Sequence, residues 1–331
     1  METSRTLSTL LTDKLSAYNV DHIFGLPGDY SLALHAALDR SHIQLINTCD
    51  EQGAGFAADG YARMRGLGVV CVTYGVGGLK LANTTAQAYA EKSPVVILSG
   101  APAQAEIAHD ELLHHRIKDF ETQINVFRHL TAYATRLEAH NACVELDRAL
   151  RIASDQSLPV YIEISRDLVD RPCPAPNRAR APHPQPDTID GRLQEAVDNA
   201  VALITAAERP VLVAGVETAR RGLHPTLLQL LERSGLPAVA TPLSKSVIPE
   251  RSPNYAGVYA GALGSESARA MVESSDCVIS LGVLSTDINS GFFTAQLAEA
   301  HTILASPTCL RIGGNVFDGV PFRAFMIALA S

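Results

Sequence analysis

Three short stretches of the sequence hold side chains suited to acid–base chemistry. Residues 24–30 read FGLPGDY and carry Asp29; residues 47–63 read NTCDEQGAGFAADGYAR and carry Glu51; residues 112–127 read LLHHRIKDFETQINVF and carry the pair His114–His115. Histidine titrates near neutral pH, so it suits proton transfer to or from a reacting group. Each residue also has a plain structural alternative. Glu51 reads as an acidic first-turn residue at a helix start, favoured by the dipole by about 0.5 kcal/mol. Asp29 after Pro-Gly is an ordinary turn residue, and paired histidines on a loop are often only solvated.

Several common chemistries are excluded. GVGGLK at 75–80 starts like a dinucleotide fingerprint, but Lys80 stands where the third glycine belongs. A tight turn after a buried strand is the better reading. The sequence has no G-x-x-x-x-G-K-[ST], no G-x-S-x-G and no H-E-x-x-H, which removes the P-loop, hydrolase-elbow and metalloprotease signatures. The six cysteines are scattered without a C-x-x-C pair. That argues against a zinc site or disulfide scaffold and fits a reducing compartment.

The elements that must position these residues alternate. The chain has 331 residues, 47% of them hydrophobic and 19% charged, enough for about two ordinary domains at roughly 150 residues each. Its formal net charge of -8 comes without any Lys/Arg run, against a nucleic-acid partner. Asp13 and Lys14 interrupt the stretch where a signal peptide needs its apolar core, and no apolar run is long enough to span a bilayer. A cytoplasmic protein that does not enter membranes is the expectation. Residues 171–186, RPCPAPNRARAPHPQP, hold six prolines, and proline favours an extended linker. Domains are therefore expected at 1–170 and 187–331. In the first, Leu7, Leu10, Leu11 and Leu15 share a helical face over 6–18, and 51–65 reads as a helix of small residues. VVCVTYG (69–75), VVILSG (95–100) and VYIEIS (160–165) are continuous apolar runs, as buried parallel strands should be. In the second, PVLVAGV (210–216), PAVATP (237–242), CVISLG (277–282) and HTILAS (301–306) read as strands, and 223–235 as a helix closed by glycine. The fold class is α/β: two doubly wound domains with mainly parallel sheets.

The three stretches, together with VCVTYGVGGLKLANTTAQAYAEKSP at 70–94 and SGAP at 99–102, resemble in order and spacing the thiamine diphosphate-dependent 2-oxo acid decarboxylases. Within them the sequence looks most like the pyruvate, indolepyruvate and phenylpyruvate decarboxylases. The likeness is strong over 1–170 and weaker beyond, where GVY (257–259), MVESSD (271–276) and LGVLSTDIN (281–289) match the middle domain. The resemblance implies that Glu51 is the cofactor-activating glutamate, whose carboxyl, bonded to a ring nitrogen of the aminopyrimidine, favours the imino form. It implies a proton relay of Asp29, His114 and His115 for steps after cofactor activation. Pro27, Gly28, Thr73 and Val76 would lie near the pyrimidine, with Gly75 and Gly77 allowing close backbone approach. Two departures stand out. Asp50 replaces the usual Asn or His before the glutamate, and Gly78–Leu79–Lys80 replaces the common Ala-Leu-Ser.

The family's diphosphate-binding domain carries Gly-Asp-Gly with paired asparagines further on. The nearest candidates, ADG at 58–60 and FDG at 317–319, do not fit it. The expectation is a subunit of a split decarboxylase, inactive alone, with no metal ligands of its own. A second polypeptide would bring the diphosphate-binding domain and the Mg²⁺ ligands of a shared thiamine diphosphate site. A carboligase subunit of acyloin- or acetolactate synthase-like type and a non-catalytic regulatory relative are the alternatives. The small residues Gly53, Ala54, Gly55, Ala57, Ala58 and Gly60 suggest homodimerisation through the pyrimidine domain.

Overall fold

A computed structural model describes residues 5–173 and 191–331. The chain divides into two compact units, 1–182 and 183–331, and each is described by itself. Residues 174–186 of the expected linker lie outside the described residues. Its first residues do not behave as a linker: Pro172 and Cys173 pair antiparallel with Arg5 and Thr6, and Cys173 is buried in the core of unit 1.

Unit 1 contains β1 (Arg5–Thr6), β2 (His22–Gly25), β3 (Gln44–Asn47), β4 (Gly68–Val72), β5 (Val95–Ala101), β6 (Tyr133–Arg136), β7 (Val160–Ser165) and β8 (Pro172–Cys173). Six of these form one sheet in the order β3-β2-β4-β5-β7-β6, parallel throughout. The central strands β4, β5 and β7 are buried along their whole length. Continuous apolar runs need no polar face when helices cover both sides of a sheet. One layer, with the Leu7–Ala17, Leu32–Asp39 and Ala142–Gln156 helices, meets the sheet through Leu11, Leu38, Cys71, Leu146 and Ile162. The other packs Ala54, Ala58, Leu81, Ile124 and Phe127 against Val70, Val72 and Ile97. Phe127 stacks on Tyr161 at 4.3 Å between ring centroids and 4° between planes.

Unit 2 contains β9 (Pro210–Ala214), β10 (Ala238–Ala240), β11 (Tyr255–Val258), β12 (Cys277–Leu281), β13 (Thr302–Ser306), β14 (Cys309–Ile312) and β15 (Asn315–Val316). Their order is β11-β10-β9-β12-β13-β14-β15. The first five run parallel and the last two antiparallel. The Gly191–Ala206, His224–Ser234 and Phe322–Ala330 helices cover one face through Leu193, Leu227, Leu231 and Phe325. Gly235, at φ 66°, caps the His224–Ser234 helix in the left-handed conformation.

The strands read from apolar runs are all present, each ending within a few residues of its expected place. β1, β3, β6, β8, β11 and the β14–β15 hairpin have no counterpart in the sequence reading. The small-residue helix is Glu51–Arg65, but Ala54, Gly55 and Ala58 are buried within unit 1. Only part of that surface, with Gly53, Phe56 and Gly60, faces outward.

Candidate active site

Glu51 is the first residue of its helix because Asp50 caps it: Asp50 Oδ1 accepts from the Gly53 amide at 2.6 Å. The other Asp50 oxygen lies 3.0 Å from Lys80 Nζ, and Lys80 Nζ lies 3.6 Å from Glu51 Oε2. The two departures from the family pattern therefore meet in one ion pair beside the glutamate. The Gly53 amide, with Lys80 adding to it, holds the Asp50 carboxyl below the usual carboxylate range, and Asp50 in turn raises Lys80. The Glu51 side chain keeps only 21% of its exposure.

Opposite the carboxylate runs the turn that follows β4. Thr73 is buried and its Oγ1 accepts from the Tyr30 amide at 3.2 Å. A Cβ at Gly28 would sit 2.6 Å from Thr73 Cβ; one at Gly77 would sit 2.9 Å from Thr73 Cγ2 and 3.3 Å from Glu51 Oε1. Two backbone segments thus pack directly on Thr73, at positions where any Cβ would clash with it. Val76 opens the short Val76–Lys80 helix and is 59% exposed. Gly75 has φ 71°.

Asp29 and the histidines form a second group. His114 Nε2 lies 2.9 Å from Asp29 Oδ2, an arrangement in which the carboxylate favours a proton on Nε2. The His114 ring stacks on Tyr30 at 5.0 Å, and Tyr30 donates its hydroxyl to the His114 carbonyl at 2.7 Å. Burial raises the Tyr30 hydroxyl above its ordinary range, so it stays a donor at neutral pH. His115 lies 4.6 Å from His114 between ring centroids. Its φ of 67° is uncommon for a residue with a side chain and turns its carbonyl onto Gly75, where a Cβ would meet it at 2.6 Å.

All the residues singled out from the sequence lie in unit 1. Thr73 contacts Gly28 and Tyr30, Gly77 contacts Glu51, and Gly75 contacts His115, so the 73–77 turn touches both polar groups. Pro27 and Val76 are exposed. Sequence reasoning missed Tyr30 as the stacking partner of His114, and it missed Gln123, whose Oε1 accepts from the Gly75 amide at 2.7 Å. Tyr30 follows Asp29 directly and could have been found; Gln123 lies 48 residues from its partner and could not. Among the described residues no three His, Cys, Asp or Glu side chains are placed to hold a metal ion, and no helix is long and apolar enough to cross a membrane. In unit 2, Thr241, Tyr259, Leu304 and Arg311, with Val283 and Asn289 of the LGVLSTDIN segment, line a cavity of about 250 Å³.

The site is thus a carboxylate at a helix start of a parallel α/β unit, facing a glycine-rich turn beside an Asp–His pair. The thiamine pyrophosphate enzyme N-terminal TPP binding domain matches residues 5–124, and the thiamine pyrophosphate enzyme central domain matches 197–323. The chain belongs to the thiamine pyrophosphate-dependent enzymes, in the family of the 2-oxo acid decarboxylases. It is 35% identical over 334 aligned residues to a probable pyruvate decarboxylase of Schizosaccharomyces pombe, covering 99% of this chain and 59% of that protein. It is 34% identical to an alpha-keto-acid decarboxylase of Mycobacterium leprae, over 100% of this chain and 58% of the relative. Pyruvate decarboxylase 3 of Oryza sativa subsp. indica is 32% identical, over 98% and 57%. The chain therefore spans a little under three-fifths of the length of these relatives.

Proposed function

We propose that this chain supplies the pyrimidine half of a thiamine diphosphate site in a 2-oxo acid decarboxylase, and that a partner polypeptide supplies the diphosphate half with its Mg²⁺. The observation that carries the reading is the position of Glu51, largely shielded at its helix start and facing Gly77 of the 73–77 turn. A carboxylate at a helix start beside a close-packed glycine turn is a donor set that suits the nitrogen-bearing edge of an aminopyrimidine. When bound, thiamine diphosphate supplies an electron sink for the loss of carbon dioxide from a 2-oxo acid.

The chain's own residues then have distinct tasks. Glu51 holds a ring nitrogen of the pyrimidine and shares a proton with it. Thr73, Gly28 and Gly77 form the close-packed wall beside it, and the exposed Val76 offers an apolar contact. His114, kept in one tautomer by Asp29 and in one plane by Tyr30, holds a proton for delivery after carbon dioxide has left. His115 stands beside it as the second proton carrier.

Glu51→Gln keeps the size of the side chain and one hydrogen bond but cannot ionise. In the assembled enzyme it should lower turnover by about 10²–10⁴, the usual loss for a positioned proton-transfer group, without changing the melting profile. Unchanged turnover at saturating cofactor would remove Glu51 from the mechanism. Purification of the chain from its native source, with sequencing of what accompanies it, tests the partner. A companion bearing Gly-Asp-Gly and paired asparagines is expected.

A further inference from the structure

Behind the 73–77 turn lies a buried polar chain that the proposed chemistry does not use. Gln123, Ser99, Tyr161 and Glu163 are all fully buried. The Gly75 amide donates to Gln123 Oε1 at 2.7 Å, and Gln123 Nε2 donates to Tyr161 Oη at 2.6 Å and to Ser99 Oγ at 2.8 Å. Tyr161 donates to Glu163 Oε1 at 2.9 Å. Arg136 donates to Glu163 Oε2 at 2.6 Å, to Glu121 Oε1 at 2.6 Å and to the Phe120 carbonyl at 2.7 Å. Along the path from Gly75 to Glu163 every proton points the same way. A backbone N–H can only donate, and a carboxylate can only accept. With both ends fixed, Tyr161 must donate to Glu163 and accept from Gln123, so the amide of Gln123 has one permitted orientation. Reversing it would set two N–H groups face to face at Gly75.

We propose that Gln123 is a positioning residue for the candidate site, with Glu163 as the charge that orients it. It anchors the turn whose Gly77 faces Glu51 and whose Gly75 faces His115, and so fixes the two polar groups relative to each other. Gly78 closes the same joint: a Cβ there would lie 2.5 Å from Gln123 Nε2. Directional networks of this kind are strengthened by a charge at one end and fail when one member can turn around. The fixing of the turn stands on the geometry alone; its use in catalysis rests on the proposed function.

Amide hydrogen exchange on the full 331-residue chain, with Gln123→Leu and Tyr161→Phe as the variants, reads the anchor directly. Leucine fills a similar space and accepts nothing from Gly75. Phenylalanine keeps the stack on Phe127 but removes the hydroxyl that links Gln123 to Glu163. In Gln123→Leu, exchange at Gly75–Gly77 should accelerate about tenfold, the factor for one lost buried hydrogen bond, while Val70 and Ile97 in the neighbouring strands stay protected. Tyr161→Phe should give a smaller change at the same amides. Unaltered exchange at 75–77 in Gln123→Leu, or equal acceleration across the sheet, would overturn the assignment. Neither outcome depends on cofactor. If the Glu51→Gln enzyme turns over normally while the exchange pattern appears as expected, the thiamine reading fails and the anchor stands.

Discussion

Gly75 shows how narrowly the site is specified at the scale of one residue. Its φ of 71° is open to glycine and costs an L-residue about 1–2 kcal/mol. A Cβ there would also press on the His115 carbonyl. Gly75→Ala should therefore lower stability by at least about 1–2 kcal/mol in urea unfolding and displace His115, seen as a shifted ring resonance. The residues at 29, 51, 114 and 115 were picked out of the sequence by the resemblance of their motifs to those of the thiamine diphosphate enzymes. What each touches was not: that Tyr30 stacks on His114, or that Lys80 pairs with Asp50, depends on the loops between them. Lys80, which as a sequence feature only disturbed a pattern, is the counter-charge of the helix cap.

At the scale of elements, the Glu51–Arg65 helix is placed by its first turn. Asp50 caps it and binds Lys80, two contacts that need a charged carboxylate. Because its folded-state titration lies below the unfolded one, its contribution is fully present above about pH 4 and fades as acid takes the pH through the lower folded value. Asp50→Asn keeps a capping oxygen and loses the ion pair. Its melting temperature should fall below the parent's at pH 7, and the difference should shrink at pH 3; a difference that is constant with pH would mean that the charge is irrelevant. Central strands such as β5 and β7 were visible in the sequence because a buried parallel strand is apolar on both faces. β3 and β6, at the sheet edges and only half buried, carry QLIN and YATR, patterns too short and mixed to separate from loop. β14 and β15 turn back antiparallel, and alternating apolar runs give no sign of direction.

At the scale of the whole molecule, the proposed division of labour has a thermodynamic signature. Thiamine diphosphate carries most of its charge on the diphosphate, and the pyrimidine contacts offered here are a few hydrogen bonds of about 1 kcal/mol net each. Micromolar affinity requires about 8 kcal/mol. Titration calorimetry of this chain alone with thiamine diphosphate and Mg²⁺ should thus detect binding weaker than micromolar. Tight, Mg²⁺-dependent binding would place a diphosphate site within this chain and end the two-polypeptide proposal. The α/β class was legible at this scale from the alternation of strand and helix patterns, whereas the proline count could not show that Pro172 and Cys173 belong to a ladder.

That small ladder sets the entrance and the exit of unit 1 side by side, with Arg5 opposite Cys173 and Thr6 opposite Pro172. A body whose two doorways adjoin behaves as a cassette. It can be lifted into another chain, or have its ends joined by a short bridge and be reopened at an exposed turn, without rerouting a strand of its sheet.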